Sequence, residues 1–130
     1  MPRRYTGPSS AVVDAVCERA NHSCERCGSG VGDRRGVDYS IHHRRARAMG
    51  GTRWPGCNLP SNLMLVCGSG TTGCHGVIES QRAGSVAAGW LVLSRTDPAT
   101  TPCLIEHGSR WVYLSADGRY SDDPPGERAA

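Results

Sequence analysis

Cysteine is the residue type that most constrains this chain. Seven of the 130 residues are cysteine, none is phenylalanine, and hydrophobic residues make up only 38%. A chain so poor in large apolar side chains builds one small core and usually needs a staple, either a disulfide or a metal. Four cysteines form two pairs, Cys24 with Cys27 and Cys67 with Cys74. The two-residue gap in the first pair lets both thiolates reach one tetrahedral ion at about 2.3 Å. The second pair is separated by Gly68-Ser-Gly-Thr-Thr-Gly73, a loop pliant enough to bring its sulfurs together. These four residues are therefore expected to hold a structural Zn²⁺. Cys57 is an alternative ligand should the wider pair fail, whereas Cys17 and Cys103 read as buried core residues.

Disulfides are the poorer reading. The cysteine count is odd, and no apolar run follows the basic start Met1-Pro2-Arg3-Arg4, so no secretory signal is expected. A redox Cys-x-x-Cys would need a thioredoxin-like βαβ context that is missing. No stretch of about 18 apolar residues suggests a membrane span. The expected location is the cytoplasm.

Local patterns suggest an α+β domain. Residues 1–8, with two prolines, read as a flexible arm. Ser9 or Ser10 can cap a helix carrying Val12, Val13, Val16 and Ala20 on one side, with Asn21 as its stop. Val37, Tyr39 and Ile41 alternate with polar residues up to His43, a strand signature, and Asn62–Val66 gives a second short strand. A helix is expected from Cys74 or His75 to about Ala88. The core would span residues 9–93. Trp90–Leu93 and Trp111–Leu114 read as strands, and residues 94–120 as a C-terminal β-hairpin extension turning at Ala116-Asp-Gly118. Residues 121–130 are expected to be a disordered tail.

All 15 basic residues are arginine, and the net charge is only +3. Arg34, Arg35, Arg44, Arg45, Arg47 and Arg53 crowd the second quarter, while Asp122, Asp123 and Glu127 lie in the tail. A run of arginines is by itself as easily a solvated face as a phosphate-binding one.

The chemistry-bearing residues stand between the cysteine pairs: His42 and His43, then Asn62, then His75 directly after Cys74. Two histidines, an asparagine and a histidine, framed by zinc-type cysteines, resemble the HNH endonuclease family, in particular its zinc-containing actinobacterial and actinophage members. His43–Gly51, Asn58–Asn62 and Cys67–Gly76 carry the resemblance, which covers roughly residues 17–85.

The resemblance implies a ββα-metal (His-Me finger) core stapled by the four-cysteine zinc site, with an N-terminal helix and a C-terminal β-hairpin. It implies catalytic roles for His43, as general base, and Asn62, as the residue orienting it, and a catalytic divalent ion on His42 and His75. That ion would be Mg²⁺ or Mn²⁺, although two or three histidines also accept Ni²⁺ or Zn²⁺. Glu79, one helical turn beyond His75, is either a further ligand or a solvent-exposed acid.

The activity implied is metal-dependent hydrolysis of DNA phosphodiesters, as nicks or double-strand cuts, leaving a 5′ phosphate and a 3′ hydroxyl. Arg44, Arg45, Arg47 and Arg53 would meet the DNA backbone, giving salt-dependent affinity with weak sequence specificity. In phages such proteins are associated with the terminase that packages DNA, so a terminase large subunit is the partner implied. The rival reading is a catalytically silent zinc-ribbon module that binds DNA or a protein. On a regular strand His42 and His43 point to opposite faces, so both can serve one phosphate only if the strand ends, twists or bulges there.

Overall fold

The computed structural model describes residues 7–46 and 53–126. Arg47, the segment around it, residues 1–6 of the expected arm and residues 127–130 of the expected tail lie outside the described residues.

The first helix, α1 (Ser10–Arg19), starts where its cap predicts: the Ser9 side chain accepts from the Val12 amide. Val13, Val16 and Cys17 form its buried face, and Asn21 and His22 turn the chain away with positive φ. Strands β1 (Tyr39–His43) and β2 (Leu63–Cys67) pair antiparallel in a two-stranded sheet, with His43 opposite Leu63 and Tyr39 opposite Cys67. β1 is shorter than its alternation suggests, because Val37 sits exposed in a turn before it.

The alternation of a strand assigns each face of this sheet its own core. Ile41, Leu63 and Leu65 pack on α1 with Val13 and Val16. Met64 and Val66 face the other way, toward Ile78 and the C-terminal sheet residues Ile105, Val112 and Leu114. Both faces are covered, so β2 carries Leu-Met-Leu-Val without interruption.

The expected long helix is two: α2 (Gly73–Ser80) and α3 (Arg82–Ala87), broken at Gln81, whose backbone is not helical. Trp90–Leu93 is not a strand. Its amides go to scattered carbonyls, Trp90 and Leu91 both to Ser85 in α3 and Val92 to Arg44 beyond β1, so the run is an apolar wedge rather than a ladder. The C-terminal extension is a three-stranded antiparallel sheet, β3 (Cys103–Ile105), β4 (Arg110–Leu114) and β5 (Tyr120–Ser121), in the order β3-β4-β5. β5 thus places Ser121, the first residue of the expected disordered tail, inside the sheet. The whole is a small α+β fold with two antiparallel sheets.

A buried polar network ties these parts together. The Arg19–Glu25 ion pair closes at 2.8 Å with both side chains buried. Glu25 also accepts from the Leu65 amide and the Tyr120 hydroxyl, and Arg19 donates to the carbonyls of Pro60 and Leu63. Such a pair is stable only because its remaining hydrogen-bonding capacity is used. No helix among the described residues is long and apolar enough to cross a membrane.

Candidate functional site: two donor clusters on one short helix

The N-terminal turn of α2 carries Cys74 and His75 side by side, and each belongs to a different cluster. Cys24, Cys27, Cys67 and Cys74 form the first, and His42, His75 and Glu79 the second; within each, one donor atom per residue lies within 4.8 Å of the others.

The cysteine cluster is assembled by two turns. In the first, the Gly28 amide returns to the Cys24 carbonyl at 2.7 Å, and the Cys27 amide points at Cys24 Sγ at 3.4 Å. The second is the Gly68–Gly73 loop, where both end glycines take positive φ and a Cβ on Gly68 would collide with the Thr72 carbonyl. That tight return brings the Cys74 amide to 3.3 Å from Cys67 Sγ and leaves Cys27 and Cys67 Sγ 4.0 Å apart. Two bonds of about 2.3 Å at a tetrahedral angle place sulfurs about 3.8 Å apart, so the four thiols fit an ion such as zinc. N–H···S contacts and the Arg26 guanidinium, 3.2 Å from Cys74 Sγ, suit thiolates. Cys57 and Cys103 are buried elsewhere and do not join the cluster.

The second cluster opens to solvent. His42 is buried on the α2 side of β1, and its Nε2–H donates to the Trp90 carbonyl at 2.6 Å. That bond fixes the tautomer and leaves Nδ1 as the donor atom, 3.7 Å from Glu79 Oε2. His75 Nε2 lies 3.9 Å from the same oxygen. Both separations fall within the span of two metal–ligand bonds of about 2.1 Å. The other nitrogen of His75, Nδ1, is buried without a hydrogen-bond partner in the described structure.

Burial, reinforced by the nearby His75, pushes the His42 pKa down to about 4, against the Trp90 bond that raises it. Burial also lowers His75, against Glu79. Both imidazoles are therefore neutral near pH 7, the state a metal ligand requires. Two neutral imidazoles and one carboxylate could hold a divalent ion of the Mn²⁺ to Zn²⁺ series. Glu79, 42% exposed at its side chain, is thus both the solvent-facing acid and the candidate third ligand.

His43 lines the same cleft of about 330 Å³ as His42, His75 and Glu79, with Gly7, Pro8, Arg35, Ile41 and Ala46 completing the walls. The register is regular through the last pair, so no bulge turns the ring. The strand ends at His43, and that end lets both side chains border one space.

Asn62 does not reach His43 as an orienting residue. It is fully buried: its Oδ1 accepts from the Arg45 amide at 2.7 Å, and its Nδ2 donates to the carbonyls of Arg45 and Cys57. It holds the chain that leaves β1 against the turn that enters β2. The amide that touches His43 is Asn58, whose Oδ1 lies 2.8 Å from Nε2. Position alone could not separate the two asparagines, because Asn58 and Asn62 lie in the same short segment.

Arg44 is also reassigned. It is fully buried and donates to the carbonyls of Gly89, Ser61, Pro98 and Thr101 at 2.7–2.9 Å. A guanidinium so engaged cannot meet a phosphate, so Arg44 pins loops. Arg45 is half-buried with its guanidinium 4.1 Å from the Trp54 ring centroid, and Arg53 is exposed. Compared with family models, curated proteins and solved structures, the chain shows no match.

Proposed function

We propose that this chain is a metal-dependent DNA endonuclease of the HNH type, with β1, β2 and α2 as its ββα-metal core and a zinc staple beside it. One observation carries the reading: His43 borders the cleft in which His42, His75 and Glu79 converge, while the cysteine cluster stands apart. A closed set of four thiols suits structure, and an open set of three donors beside a further histidine suits hydrolysis.

In this reading His42, His75 and Glu79 hold the divalent ion, Mn²⁺ or Mg²⁺. When bound, the ion neutralises charge on the phosphate and on the departing 3′ oxygen. His43 takes the proton of the attacking water as general base. Asn58 accepts from His43 Nε2–H, and a neutral imidazole protonated there carries its basic lone pair on Nδ1. The water's oxygen bonds to phosphorus as the bond to the 3′ oxygen breaks, leaving a 5′ phosphate and a 3′ oxygen that takes a proton from solvent to become the 3′ hydroxyl. Arg35, on the cleft wall, and Arg45 and Arg53, on either side of residues 47–52 in the sequence, meet the backbone phosphates.

The test is nicking of supercoiled plasmid with Mn²⁺ or Mg²⁺ by the zinc-loaded protein and its His43→Ala variant. Cleavage lost by about 100-fold or more in a folded variant supports the general base. Equal cutting by both proteins sinks the assignment. A zinc-loaded wild type that binds DNA but cuts with neither ion favours the zinc-ribbon reading.

A further inference from the structure

The two clusters are joined by more than the Cys74–His75 peptide bond. Arg26, inside the Cys24–Cys27 turn, donates to Cys74 Sγ at 3.2 Å. The same guanidinium lies over the Trp90 ring, 4.6 Å from its centroid. The Trp90 indole N–H donates to the Leu104 carbonyl at 2.7 Å, and the Trp90 carbonyl accepts from His42 Nε2–H at 2.6 Å. The Cys74 sulfur of one cluster and the imidazole of the other are thus the ends of one chain of contacts, Cys74–Arg26–Trp90–His42. Trp90 sits outside any strand or helix. The amides on either side of its carbonyl bond to Ser85, and its indole contacts, to Arg26 and to β3, anchor it from the other side.

We propose that Arg26 is a positioning residue through which the four-cysteine site sets the affinity of the His42–His75–Glu79 site for its divalent ion. The inference rests on the ion-site reading of those three residues. The guanidinium faces the negative thiolate cluster on one side and the electron-rich indole face on the other, and both contacts favour a cation. Through the indole it fixes the carbonyl that orients His42 Nδ1 toward Glu79. Carbonyls that hold a ligating histidine typically govern metal affinity by 10–100-fold.

The experiment is Mn²⁺ titration without DNA, read by electron paramagnetic resonance, on zinc-loaded wild type, Arg26→Met, Arg26→Lys and Trp90→Leu. Zinc content and the near-ultraviolet circular dichroism of the tryptophans report the fold. Arg26→Met keeps the aliphatic stem and removes the charge. The expected result is retained zinc with Mn²⁺ affinity lowered about 10-fold, recovered in large part by Arg26→Lys, which keeps the cation over the indole. Trp90→Leu cuts the same chain at its other end and is expected to lower Mn²⁺ affinity with zinc retained.

Wild-type Mn²⁺ affinity in a zinc-loaded Arg26→Met overturns the proposal. If that variant loses zinc, Trp90→Leu decides: zinc retained with unchanged Mn²⁺ affinity overturns it. A wild type that binds no Mn²⁺ overturns the ion-site reading and this inference with it. A difference missing only between variants overturns this inference alone.

Discussion

The two ends of one peptide bond in α2 lead to opposite environments. Cys74 joins a ring of four like donors, two of them buried, with backbone amides on Cys24 and Cys67 and a guanidinium on Cys74. His75 joins a mixed set that closes on an exposed carboxylate beside a cleft. In the proposed function, the contrast is that between a structural and a chemical metal site: four protein ligands saturate an ion, whereas three leave room for water and substrate. Adjacent residues can serve both because a helix turns by about 100° per residue.

The largest expected effect comes from the closed cluster. Removing zinc with a strong chelator, or substituting Cys24→Ser, should unfold the domain outright. Structural zinc contributes on the order of 10 kcal/mol, comparable with the entire stability of a small domain. Far-ultraviolet circular dichroism before and after chelation measures this, and a chelated protein that keeps its native spectrum removes the distinction between the sites.

Arg44→Ala should come next, costing about 4 kcal/mol in denaturant unfolding as four carbonyls lose their donor at roughly 1 kcal/mol each. A change in DNA affinity with unaltered stability would return Arg44 to the surface role suggested by its arginine-rich neighbourhood.

Acid should expose the other cluster. With zinc bound and no other divalent ion, His42 titrates at about 4 when folded, against an ordinary value of 6.5. The unfolded chain therefore takes the proton first. Its contribution, on the order of 3 kcal/mol, is complete above about pH 6.5 and is lost as the pH falls toward 4. Unfolding midpoints between pH 7 and 4.5 follow it, and His42→Gln should flatten the slope.

Glu79→Gln should leave zinc and stability unchanged while weakening Mn²⁺ binding, since one of three ligands loses its charge. Equal Mn²⁺ affinity would mark Glu79 as a solvent-facing acid only. The smallest effect is expected at exposed Arg53, where Arg53→Ala should lower the salt dependence of DNA binding by about one phosphate contact without touching stability.

Those predictions fall on residues that differ in how much of their role was readable from position. The α1 cap at Ser9, the alternation of β1, the apolar run of β2 and the cysteine spacings are local patterns, and each led to its element or cluster. The gap in the long C-terminal helix was not visible, because Gln81 carries no breaker chemistry. Trp90–Leu93 misled because an apolar run has the same composition whether it joins a ladder or wedges between loops. Arg44 and Arg45 are identical neighbours, yet one is buried among carbonyls and the other lies against Trp54.

The chain's order of residues settled which donors exist and how far apart along the backbone they lie: two cysteine pairs, a histidine doublet, and His75 followed by Glu79 one turn on. Tertiary structure alone decided which side chains meet. Asn58 rather than Asn62 touches His43, Trp90 lends its carbonyl to His42, and Arg26 spans the two clusters, because all three contacts join segments whose separation is set by packing. Spacing constrains a ligand set when the loop between ligands is short. Across 15 or 48 residues, as in His43–Asn58 and His42–Trp90, only the folded core can do so.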